Sequence, residues 1–163
     1  MQFKSLAMMV MISSALFGCG DDESGDSTEM PVEGEAPASE APEFGDHITA
    51  GLQLEGNKGL VALTLNETLF EPPLRGDNVW TLSLTEAATG SALSECMIEF
   101  DPRMPAHGNH GTSKPTLVEE MGGGAYQIKD LYLFMRGLWV VHTYIECGEA
   151  ISDQIDIEVW IEG

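Results

Sequence analysis

The chain has 163 residues, with 27 acidic against 7 basic side chains and a formal net charge of -20 at pH 7. That length is one domain's worth. The acid excess excludes nucleic-acid binding, and it excludes attachment to anionic headgroups through a basic patch, since both need clustered Lys and Arg. An apolar content of 43% supports a core, while 18 Gly and 8 Pro point to many turns and few long helices.

Residues 1–18 read as a signal peptide. Lys4 supplies the positive start and Leu6 to Phe17 an apolar run of twelve, whereas a spanning helix needs about 20 such residues. The run ends in Leu16-Phe17-Gly18-Cys19, which resembles a bacterial lipobox. That resemblance implies lipidation at Cys19, an acyl (palmitate-type) membrane anchor with no spanning helix, and a place at the bacterial cell envelope, on its periplasmic or extracellular face. Residues 19–50 then form a disordered acidic tether. Gly20 to Asp46 carries ten acids and no Lys or Arg, too little apolar surface to offset ordering entropy. His47 lies at its end.

From residue 51 to 163 the pattern becomes short and alternating. Val61, Leu63 and Leu65 lead, followed by a stop at Pro72-Pro73. Trp80, Leu82 and Leu84 alternate with Thr81, Ser83 and Thr85, and the chain turns at Thr89-Gly90. Cys96, Ile98 and Phe100 follow, then a Gly-rich loop. Tyr126 and Ile128 open a strand that continues, with an offset, through Leu131 and Leu133. Trp139, Val141, Thr143 and Ile145 make the next strand, and Ile155, Ile157, Val159 and Ile161 the last. Period-2 alternation of this kind marks half-buried strands. About seven strands over this length predict an all-β, immunoglobulin-like β-sandwich, with an open barrel as the alternative.

With Cys19 lipidated, Cys96 and Cys147 remain, and outside the cytoplasm two thiols oxidise. Closing this 51-residue separation stabilises the fold by about 4 kcal/mol in the chain-entropy model. Metal binding by the two thiols is the rival reading, and it lacks a CxxC spacing. Setting Cys96 opposite Cys147 on antiparallel strands places Asp101 opposite His142 and Met104 beside Trp139. The loop at 104–111 and the turn at 135–137 then share the end away from the disulfide, roughly 25 Å distant at about 3.3 Å per residue.

That end carries Met104-Pro105-Ala106-His107-Gly108-Asn109-His110-Gly111, with Met135 on the neighbouring turn. Thioether sulfur and imidazole together suit copper, and glycines let the loop fold so that both rings converge. Met104, His107, His110 and Met135 are the candidate ligands, with Met121 and His142 in reserve. The structural alternative is a turn-rich loop in which Met104 plugs the end of the sandwich and His142 is satisfied beside Asp101.

Three pieces of sequence carry a resemblance. Met104-Pro105 with His107, Gly108, His110 and Gly111, then Gly124-Ala125-Tyr126, then Met135-Arg136-Gly137-Leu138-Trp139 resemble in order and spacing the YtkA-like domain, a relative of the FixH family. The resemblance covers Asp101 to Ile145. It implies an immunoglobulin-like extracytoplasmic module with a role in copper handling or cytochrome oxidase maturation. A copper-delivery role would take a metal-acceptor protein as partner. Asn109 departs from the pattern and leaves the choice between His107 and His110 open.

The chain has no Gly-x-Ser-x-Gly elbow, phosphate loop or HExxH helix. Its carboxylates fall on the tether or on outward strand positions such as Glu95, Glu99, Asp156 and Glu158, so a non-enzymatic protein is expected. The leading expectation is a lipid-anchored copper-binding or copper-delivery protein. The alternative is a non-metal β-sandwich that binds a protein partner at the envelope.

Overall fold

The computed structural model describes Asp46 and residues 48–163. The expected signal peptide, Cys19, the expected tether up to residue 45 and His47 lie outside the described residues. Among the described residues, nine strands form two sheets. The first has the order β1-β2-β3-β7-β6, from β1 (Gln53–Glu55), β2 (Val61–Thr68), β3 (Gly76–Glu86), β6 (Leu117–Gly122) and β7 (Ala125–Leu133). The second has the order β5-β4-β8-β9, from β4 (Cys96–Met104), β5 (His110–Gly111), β8 (Gly137–Cys147) and β9 (Ile151–Ile161). A single 3-10 turn, Pro105–His107, links β4 to β5. Every described pairing of strands is antiparallel.

The alternation in the sequence becomes the core. Val61, Leu63, Leu65, Trp80, Leu82 and Leu84 are buried from the first sheet, and Ile98, Phe100, Trp139, Val141 and Ile145 face them from the second. Each fully buried side chain of this size contributes about 1.5–3 kcal/mol over its exposed state. The offset between Ile128 and Leu131 has a local cause. The register of β3 on β7 shifts between Asn78, opposite Leu131, and Trp80, opposite Ile128. Asp130 takes a left-handed conformation at φ 59°. The extra residue forms a bulge that returns Leu131 to the inward face.

The expected count of about seven strands is exceeded because three strands leave no apolar rhythm. β1 has three residues, β5 has two, and β6 is exposed along nearly its whole length. Order also begins earlier than residue 51. Ile48 is buried in the core, and Asp46 both donates its N–H to the Glu158 carbonyl (2.8 Å) and accepts the Glu158 N–H at its carboxylate (2.9 Å).

Cys96 and Cys147 are joined by a disulfide and stand opposite each other in the β4–β8 register. The same register sets Asp101 opposite His142 and Arg103 opposite Val140. One end of the sandwich therefore holds the disulfide and the β8–β9 turn. The other gathers the β2–β3 loop, the 105–109 segment and the β7–β8 turn, since Gly76 pairs with Leu133 and Gly137 with Ile161. Pro102, which lacks an N–H, is tolerated in β4 because β5 flanks that strand only at Arg103 and Met104.

Candidate functional site at the loop end

The Met/His segment folds as a tight return. Pro105 sits at the start of the 3-10 turn, where its missing N–H costs nothing. Gly108 (φ 66°) and Asn109 (φ 60°) are both left-handed, and this consecutive pair reverses the chain so that His110 pairs with Met104. Asn is one of the few residues with a side chain that visits this region readily. Its place in the loop is thereby a backbone requirement.

The four candidate ligands share this end of the domain, but their side chains go to different surroundings. Met104 is fully buried in the core, and its Cε lies 3.3 Å from where a Cβ on Gly137 would stand. His107 is exposed on the 3-10 turn. The ring of His110 meets Phe134 edge to face at 5.6 Å between centroids. Met135 is half-buried against the core, and its carbonyl accepts the Trp139 indole N–H at 2.9 Å. Phe134 continues the contact to Trp139 (5.5 Å, edge to face) and stacks on Tyr132 (5.8 Å). The segment thus closes the sandwich with a chain of rings and a methionine plug. Met104 and His107 lie in different surroundings, one withdrawn into the core and the other exposed.

The reserve ligands sit elsewhere. Met121 is exposed on β6, one residue before the Gly122-Gly123-Gly124 hairpin. His142 is satisfied, though by a different partner from the one expected. Its Nδ1 lies 2.7 Å from the Asp156 carboxylate on β9, while Asp101 accepts the Arg103 Nε–H at 2.7 Å. Burial pushes the Asp156 carboxyl up, but hydrogen bonds from His142 and Gln154 outweigh it and hold the group below its ordinary value. Among the described residues, no group of three or more His, Cys, Asp or Glu gathers at metal-binding distance.

Two features escaped the sequence reading. The first is the β2–β3 loop, whose Leu69, Phe70 and Leu74 are exposed at this same end. It borders an open cleft of about 460 Å³ that includes Thr68, Leu69, Glu71 and Gln127. The visible signal was an apolar trio around Pro72-Pro73 that fits no strand period. The second is Asp153, buried near the opposite end. It accepts backbone N–H groups from Lys58 and Leu60 (both 2.9 Å), Val61 (3.1 Å) and Gln154 (2.8 Å). Burial pushes this carboxyl up, but the four donors outweigh it and leave it below the ordinary range. Asp153 falls on the inward phase of β9, in step with Ile155 and Ile157. That phase was the available clue.

Comparison with protein-family models, curated proteins and solved structures finds no match to this chain. Fold and site therefore rest on the residues themselves: a two-sheet, all-β, disulfide-bonded domain with an aromatic-lined loop end.

Proposed function

We propose that the chain is a lipid-anchored, immunoglobulin-like module of the bacterial cell envelope that acts by binding, without a metal and without catalysis. The observation that carries this reading is the division of labour at the loop end. Met104 serves the core and His110 serves the aromatic cluster, while the exposed apolar surface at that end belongs to Leu69, Phe70 and Leu74. A solvent-facing apolar loop on a rigid sandwich is a docking feature. The open edge of β6, with exposed Leu117 and Met121, offers a second surface suited to a protein partner.

A copper-handling reading, in keeping with the YtkA-like resemblance, is favoured by one observation: His110 pairs with Met104, and its ring touches Phe134, the residue before Met135. It requires the Met104 thioether to leave the core. Copper(I) titration of the full chain and of its His107→Ala/His110→Ala variant separates the two. The binding-module reading expects the same copper uptake in both and partner capture indifferent to chelator. Loss of one tight site in the variant would replace it with the copper reading.

A further inference from the structure

The loop end combines three properties that the composition as a whole conceals. Its β2–β3 loop exposes Leu69 (63%), Phe70 (37%) and Leu74 (47%), although such side chains are ordinarily withdrawn from water. It also holds four of the chain's seven basic residues, Arg75, Arg103, Lys114 and Arg136. Arg103 is neutralised by Asp101, and Lys114 by Asp77 and Asp130. Among the described residues, Arg75 and Arg136 have no carboxylate at ion-pair distance. Arg75 donates its Nε–H to the Phe134 carbonyl (2.7 Å), which ties the β2–β3 loop to the β7–β8 turn beside Arg136. Finally, the N-terminal leader joins the domain near this end. Asp46 is bonded to Glu158, which pairs with Val140 and so lies level with Arg103, near the last residues of β9.

The geometry points to this loop end as a membrane-docking face that lays Leu69, Phe70 and Leu74 into the interface of an anionic lipid surface, with Arg75 and Arg136 on the headgroup phosphates. The inference deepens the proposed function by naming the partner of the loop end, and it rests on the anchoring that reading contains. Guanidinium groups match phosphate oxygens in a bidentate way, and apolar side chains beside them bury in the headgroup boundary. Three such side chains bind weakly on their own. On the anchoring reading, the roughly 27 residues between Cys19 and Asp46 would keep the face near the lipid surface, where weak contacts suffice. The net charge of -20 opposes approach to anionic lipid, so docking needs the face that carries the unpaired Arg75 and Arg136. Asp77, Asp101 and Asp130 match two of the four bases at this end, so the positive charge left for a headgroup is that of Arg75 and Arg136. Arg75 and Arg136 carry the lipid assignment: they stand at the same end as the exposed apolar side chains, with no carboxylate at ion-pair distance among the described residues. The cleft beside Leu69 makes a protein partner the outcome the test must exclude.

The test uses the full chain as recovered from membranes, reconstituted in vesicles of neutral lipid with and without anionic lipid. An environment-sensitive dye is placed at Leu74→Cys, at Leu69→Cys, or at Glu149→Cys in the turn beside the disulfide, with the unsubstituted chain as blank. Docking expects the dye at 74 and at 69 to shift to the blue and to be quenched by lipid-borne nitroxides when anionic lipid is present, while the dye at 149 stays in water. Adding Arg75→Glu and Arg136→Glu should cut the docked-to-free ratio by about tenfold or more. A chain that stays on the vesicles with the dyes at 69 and 74 as wet as that at 149 overturns docking and leaves the anchoring intact. A dye at 74 that shifts only when envelope protein is added overturns the lipid assignment in favour of a protein partner. A chain that washes off the vesicles overturns the anchoring reading and this inference with it.

Discussion

Asp153 shows how one side chain organises a loop. Its four backbone donors come from the 58–61 segment and from Gln154, so the carboxylate takes the place of a strand partner for that segment. Gly56 is required beside it, because a Cβ there would lie 2.1 Å from the Asp153 carboxylate oxygen. Asp153→Ala leaves several N–H groups without acceptors and should cost about 3 kcal/mol at pH 7, read as a lower urea midpoint. The pH dependence follows from the depressed carboxyl. A group with a folded value below its unfolded one contributes its stability above the unfolded value, about 3.9 for Asp, and loses it as pH falls through the folded value. The gap between wild type and Asp153→Ala should therefore be constant from neutral pH to about 5 and narrow in more acid solution. A gap that widened on acidification would contradict the assignment.

At the scale of elements, the strands with strict alternation were legible and those without it were not. The registers around Cys96 and Cys147 followed from one assumption, that the two cysteines face each other, because a shift of one residue would have turned Ile98, Phe100 and Val141 outward. The structure has that register. β5 and β6 were illegible for the opposite reason: one is too short to show a period, and the other packs only Val118 against the core, too little to write one into the sequence. The ligand set has a different history. Spacing brought Met104, His107, His110 and Met135 to one end, while the phase of β4 pointed Met104 inward. That follows from its even parity with Phe100 and Pro102, both buried in β4. Two glycines in these connections should behave unequally. Gly108 and Gly124 both have positive φ, at 66° and 79°. A Cβ on Gly108 meets nothing within 4 Å, whereas one on Gly124 would lie 2.8 Å from the Leu84 carbonyl oxygen. Gly108→Ala should cost about 1–2 kcal/mol from backbone strain alone. Gly124→Ala should cost visibly more by thermal unfolding, since the backbone it strikes also accepts the Leu93 N–H and cannot move freely. Equal costs would show that the β6–β7 turn can shift away from β3.

On the scale of the whole molecule, charge is the dominant unbalanced term. From Asp46 onward the chain holds eighteen acids and six bases, and four of those six bases are collected at the loop end. Asp77, Asp101 and Asp130 pair with two of them there, and most of the carboxylates elsewhere face no cation among the described residues. Self-repulsion disfavours the compact state, and it is long-ranged in dilute salt, where the screening length is about 30 Å at 0.01 M against about 10 Å at 0.1 M. The Lys and Arg ion pairs among the described residues are largely exposed, so salt removes little from them. The two effects have opposite signs, and the excess of unpaired carboxylates decides between them. Raising ionic strength from about 0.01 M to about 0.1 M should raise the thermal midpoint of the full chain. The gain should be smaller in acid, where Asp and Glu are partly neutral before any salt is added. If the midpoint instead fell with salt at neutral pH, the specific pairs of Arg103, Lys114 and Lys129 would outweigh the general repulsion. The acid excess would then have to be read as balanced within the fold.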